Sequence, residues 1–126
     1  MTSSLKLLAA GSLKSAFIPL LARFQQQTGI PVDVHFGPAG LLRERIEAGE
    51  PCSVFASANS HHPQALRQAG LAGECYWFAR NQLMLTVRRD AKTEAREWLT
   101  LLSDPGLRLA TSTPGCDPSG DYTWQL

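Results

Sequence analysis

An apolar run, Leu5–Ala10, ends in Gly11-Ser12 and passes at once into a stretch where Leu13, Phe17, Leu20, Leu21 and Phe24 recur at helical spacing. A short buried strand that feeds a helix through a glycine and a serine constrains the fold strongly. Such a junction sets a hydroxyl beside the unpaired N–H groups of a helix start, a ready site for an anion. Strand, small-residue loop and helix return at Gly37-Pro38-Ala39-Gly40, and more loosely at Pro118-Ser119-Gly120.

The remainder of the chain keeps this rhythm. Ser12 is a good N-cap for the first helix, Pro19 can kink it, and Thr28-Gly29 ends it. Ile30 to Phe36 alternates as a strand, and Leu41 to Ala48 reads as a short helix closed by Gly49-Glu50-Pro51. Val54–Ala56 is a very short buried strand, followed by a helix over Pro63 to Ala69. Cys75 to Val87 reads as a longer strand region broken near Arg80-Asn81. Glu94 to Leu102 reads as a helix and Leu107 to Ala110 as a strand. Thr111 to Gly120 is a loop rich in Thr, Ser, Pro and Gly, and Asp121 to Leu126 opens another helix. Strands alternating with helices predict an α/β fold with a mostly parallel sheet. In such sheets ligands sit at the carboxyl ends of strands, where all three candidate loops lie.

With 126 residues, 44% hydrophobic and 18% charged, the chain has the makeup of a folded domain. Twelve basic and 11 acidic residues give a net charge of +1, no footprint for nucleic acid or an anionic membrane. No apolar run approaches a bilayer-spanning length. Met1 to Ser4 lack the features of a signal peptide, so the expectation is either a cytosolic protein or one whose leader has been replaced.

Catalysis finds little support. No Gly-x-Ser-x-Gly elbow occurs, and no histidine with an orienting carboxylate can be nominated beside Ser12, Ser57 or Cys116. His61-His62 lacks a nearby third ligand, and adjacent side chains diverge, so a solvated helix start is expected. Arg43, Arg45, Arg88 and Arg89 read as solvated faces rather than anion clamps. Cys52, Cys75 and Cys116 form no CxxC and read as small semi-buried residues, with one disulfide plus a free thiol as the alternative. No cofactor is implied. Asp121, at a helix start, would repel an anion and is expected to point away from it.

Five segments together resemble one known family. Ala9-Ala10-Gly11-Ser12-Leu13 is similar to the Ala-Ala-x-Ser-Leu opening of molybdate-binding proteins, the periplasmic components of molybdate ABC importers. Phe36 to Gly40 resembles that family's Gly-Ser-Gly turn, and Pro51 to Ala58 its Pro-Ala-Asp-Val-Phe-Ala-Ser-Ala segment. Phe78-Ala79-Arg80-Asn81 matches its Phe-Ala-x-Asn, and Pro118 to Tyr122 its Pro-x-Gly-x-Tyr. The resemblance implies a two-lobed, type II periplasmic-binding-protein fold that grips molybdate or tungstate through neutral hydrogen bonds. Carried over, Ser12 supplies a hydroxyl and an N–H, and Ala39 and Ser119 supply backbone N–H groups. It also implies a periplasmic setting, a membrane permease as partner and no catalysis. A cytosolic oxyanion sensor for a transcriptional regulator is the alternative.

The chain departs from the pattern at three points. Ala39 stands where the family carries a serine, and losing that hydroxyl costs on the order of 1.5–3 kcal/mol, or roughly 10- to 150-fold in affinity, unless Ser119 compensates. Ser53 stands where the family has an aspartate. Residues 1–80 match the opening of lobe one and 81–126 the first half of lobe two. The expectation is therefore a truncated gene product, a fragment of a longer chain, or a chain completed by dimerisation or strand exchange, with a product that no longer binds ligand as a further alternative.

Overall fold

The computed structural model describes residues 3–90, 96–115 and 118–126. Three strands form one parallel sheet: β1 (Leu5–Ala10), β2 (Val32–Gly37) and β3 (Val54–Ala56), in the order β2-β1-β3. A 3-10 turn over Gly11–Leu13 leads into helix α1 (Lys14–Thr28); α2 (Ala39–Glu47) and α3 (His61–Gln68) follow β2 and β3. Helices α4 (Trp98–Leu102) and α5 (Pro118–Trp124) lie further along. The expected α/β architecture with a parallel sheet is present.

β1 is central because both its faces are apolar. Alternation along a strand sends Leu7 and Ala9 to one face and Leu8 and Ala10 to the other. All four are buried. Leu7, Ala9 and Ala56 form a core against which Leu13, Phe17 and Leu21 of the first helical segment pack. The opposite face takes Leu8, and there α2 lies against β1 and α3 against α2. Leu42 and Leu66 are the buried anchors of α2 and α3. α1 ends as expected at Gly29, whose φ of 70° makes the left-handed cap that a Cβ disfavours. α1 runs through Pro19 without interruption.

Ser53, the departure from the family aspartate, joins β3 to β1. Its Oγ accepts from the Lys6 N–H at 3.1 Å, and its own N–H donates to the Lys6 carbonyl at 2.8 Å. A hydroxyl there extends the ladder by one bond beyond the strand proper. Nearby, Glu50 joins Arg45 at 2.8 Å and Lys6 at 3.6 Å, so Arg45 is an internal tie rather than a free solvated charge.

Several expected elements differ. Cys75–Val87 and Leu107–Ala110 form no strand, and most of their apolar side chains, including Tyr76, Trp77, Phe78 and Met84, are exposed. A strand forms only where a neighbour accepts its backbone bonds, and no sheet strand lies beside these segments among the described residues. Of Glu94–Leu102, the structure shows a helix from Trp98; Glu94 lies outside the described residues. Cys52 and Cys75 are free thiols, and Cys116 lies outside the described residues.

Leu8 is fully buried in the central strand. Leu8→Ala is expected to cost about 2–5 kcal/mol, against about 1 kcal/mol for Ser53→Ala. Urea unfolding with a shared m-value reads both, and equal costs would contradict the placement of β1 at the centre.

Candidate functional site

Parallel pairing brings the carboxyl ends of the three strands to one edge. Ala10 is in register with Gly37, and Ala9 with both Phe36 and Ala56. The turn carrying Ser12, the start of α2 at Ala39, and the Ser57–Ser60 loop therefore leave the sheet side by side. The approach is close: a Cβ added to Gly11 would lie 3.9 Å from the Gly37 carbonyl oxygen. The strand order reverses at β1, with α1 on one face of the sheet and α2 and α3 on the other. The crevice between the loops after β1 and β3 is thus the switch point where ligands bind such sheets.

The two helix starts share an unusual chemistry. Ala10 and Leu13, at the starts of the 3-10 turn and α1, and Pro38, at the start of α2, have no side chain able to accept a hydrogen bond. Ser12 is exposed and lies inside the 3-10 turn, so it does not cap α1 as expected. The tightening of the chain into i→i+3 geometry shifts the cap position to Leu13. The first α2 bond runs from the Leu42 N–H to the Pro38 carbonyl at 3.0 Å. The Ala39, Gly40 and Leu41 N–H groups thus precede the helical ladder. Ala39 and Gly40 are buried there.

α3 is different, because its start is already occupied. The Asn59 side-chain oxygen accepts from the His62 N–H at 3.3 Å, and the Asn59 N–H donates to Ser57 Oγ at 3.3 Å. Asn59 is buried, and its Nδ2 donates to the Asp121 carboxylate at 3.1 Å. That bond brings α5, which carries Ser119, to the β3–α3 loop. Ser119 itself is exposed, and its carbonyl accepts from Thr123 Oγ1 at 2.6 Å. The structure thus sets the Ser12 and Ala39 segments together on adjacent strands, and ties the Ser119 helix in through Asp121.

His62 is buried rather than solvated, which corrects the expectation for His61-His62; His61 alone is exposed. The α2 side chain Arg43 reaches His62 Nδ1 at 3.3 Å and Glu47 at 3.2 Å, so Arg43 is also an internal tie. An arginine can only donate, so Nδ1 accepts and the proton sits on Nε2, which is buried without a partner. Burial, then the Arg43 charge, holds the imidazole below its ordinary value. The sequence offers no sign of the Asn59–Asp121 bond, of the burial of His62 or of the ladder bond made by Ser53. The one local signal is Asn59 itself, a favoured capping residue two positions ahead of α3, which starts at His61 rather than at the expected Pro63.

Residues 5–126 match the family model described as bacterial extracellular solute-binding protein. The chain belongs to that family. Its members are solute-binding proteins rather than enzymes. It is 46% identical to an uncharacterized protein of Pasteurella multocida over 97% of this chain and 51% of that one. It is 30% identical to the molybdate-binding protein ModA of Mycobacterium tuberculosis strain H37Rv, over 98% of this chain and 47% of that one. The chain therefore spans about half the length of these two relatives. Among solved structures, the periplasmic molybdate-binding protein of Azotobacter vinelandii superposes with a TM-score of 0.52 at 31% identity, over 53% of this chain and 29% of that one. The substrate-binding domain of a molybdenum ABC transporter from Clostridium difficile gives 0.51 at 30% identity, over 52% and 29%. These neighbours bear out the type II binding-protein fold.

His62 makes the stability of this solute-binding protein pH-dependent. Its folded value lies below the ordinary 6.5, so the unfolded chain takes up the proton first as pH falls. The stability it contributes is full above that ordinary value and declines below it. Unfolding free energy is expected to drop from about pH 7.5 to about pH 5.5, and His62→Gln to weaken that drop. An unchanged pH slope in His62→Gln contradicts the assignment.

Proposed function

We propose that this chain is the anion-gripping part of the binding component of an ABC importer, with a molybdate- or tungstate-type oxyanion as ligand. The observation that carries the reading is the pairing of Ala10 with Gly37, which sets two helix starts side by side with no side chain able to cap them. Their first N–H groups precede the helical ladder with no capping side chain, and a tetrahedral dianion supplies four oxygens to accept from them. Helix starts carry partial positive charge, so the anion is held there without a lysine or arginine. Ser12 provides a hydroxyl and an N–H, Ala39 an N–H, and Ser119 an N–H from the α5 segment. Cavity size and complete hydrogen bonding select among oxyanions.

The same reading covers the whole protein. Residues 1–80 are the first part of lobe one, and 81–126 the opening of lobe two. Closure of the lobes on the anion is the state a permease recognises, in the periplasm, with no reaction catalysed. The exposed apolar side chains around Tyr76, Trp77 and Met84 are surface that a second copy would bury. Light scattering on the 126-residue chain is expected to show dimers, and a monomer at all concentrations contradicts this part.

Calorimetric titration with molybdate, and sulfate as control, tests the ligand. Ser12→Ala is expected to weaken molybdate binding by about 10-fold or more. Ala39 is fully buried. Ala39→Ser is therefore expected to destabilise the free chain by about 1 kcal/mol while tightening molybdate binding, since the ligand offers the new hydroxyl a charged acceptor. Molybdate affinity that ignores both substitutions overturns the assignment.

A further inference from the structure

We propose that Asn59 and Asp121 form a latch that positions the α5 segment against the switch-point crevice of the sheet. The bond joins residues 62 apart in sequence, between a buried carboxamide and a half-buried carboxylate. Both ends of Asn59 are committed: its oxygen caps α3 at the His62 N–H, and its nitrogen holds Asp121 Oδ2. The other Asp121 oxygen accepts from the Gly115 N–H, in the turn ahead of α5.

Residues 112–115 and 118–124 lie against one another. Gly120 is buried there against the backbone of Ser112 and Thr113, which leaves no room for a Cβ. The Asn59–Asp121 bond attaches α5 to the β3–α3 loop. Between α3 and α4 the described residues form neither helix nor strand, so no regular element fixes where α5 sits. A directional bond from a buried amide is suited to fix it. Asp121 thereby faces Asn59 and Gly115, and its charge is taken up by N–H donors. Asn59 acts as a positioning residue, holding Ser119 at the edge that carries Ser12 and Ala39. The effect on ligand rests on the oxyanion reading; the latch itself does not.

The geometry permits a clean exchange. Asn59→Asp retains the cap on α3, since a carboxylate oxygen still accepts from His62, but opposes two carboxylates across the latch. Asp121→Asn retains an acceptor for the Gly115 N–H. The double variant Asn59→Asp/Asp121→Asn restores one donor and one acceptor with the roles reversed. Hydrogen exchange on the 126-residue chain is expected to quicken about 10-fold or more in residues 112–124 of Asn59→Asp, with β1 unchanged, and to return toward the parent rate in the double variant. Exchange of 112–124 that is the same in all three proteins overturns the latch. Molybdate affinity is expected to fall about 10-fold in Asn59→Asp and to recover in the exchange. Faster exchange with unaltered molybdate affinity overturns the positioning role. A parent chain that ignores molybdate yet shows the exchange pattern keeps the latch and removes the oxyanion reading.

Discussion

Parallel pairing of β1 with both of its neighbours is the constraint on which the rest of the structure depends. It forces three chain segments to leave the sheet at one edge, because parallel strands share a direction. It also requires both faces of β1 to be covered, which the alternation of Leu7, Leu8, Ala9 and Ala10 makes favourable. Covering one face with α1 and the other with α2 and α3 then opens the crevice between the loops after β1 and β3. The edge that carries Ser12 and Ala39 after β1 and β2, and the crevice beside it, are thus consequences of the core.

The electrostatics of that edge follow from which groups are already paired. Arg43 is spent on His62 and Glu47, and Arg45 on Glu50, all within the α2 side of the fold. Neither guanidinium needs an outside anion. The α3 start is filled by Asn59, whereas the starts that follow β1 and β2 are flanked by Ala10, Leu13 and Pro38. Backbone donors without a capping side chain are suited to a ligand that brings its own oxygens and negative charge. Cations placed there would bind many anions, while fixed N–H directions favour one size and shape.

The sheet and its first three helices were legible in sequence because their residues carry the periodicity of buried elements. Leu5–Ala10, Val32–Phe36 and the Leu13–Phe24 stripe satisfy strand and helix spacing locally, and turn chemistry at Gly29 marks the break. The Ser12 and Ala39 loops were legible for the same reason, since they follow strands. The Cys75–Val87 and Leu107–Ala110 segments misled, because apolar composition reports a preference for burial and not the presence of a pairing neighbour. His62 misled because its sequence neighbours are polar, while its burial comes from α2 packing across it. The Asn59–Asp121 bond could not be read at all, because a contact across 62 residues leaves no local periodicity.

The most direct measurement is a set of amide nitrogen–proton NMR spectra of the chain as molybdate is added, with residues assigned. A donor that gains an anionic acceptor shifts more than one that gains a distant charge. The largest shifts are expected on the amides of Ser12, Leu13, Ala39, Gly40 and Ser119, with the α3 amides of His61 and His62 little moved. Shifts centred instead on arginine side chains, or on α3 with the Ser12 and Ala39 amides unmoved, would contradict a site made from the helix starts beside β1.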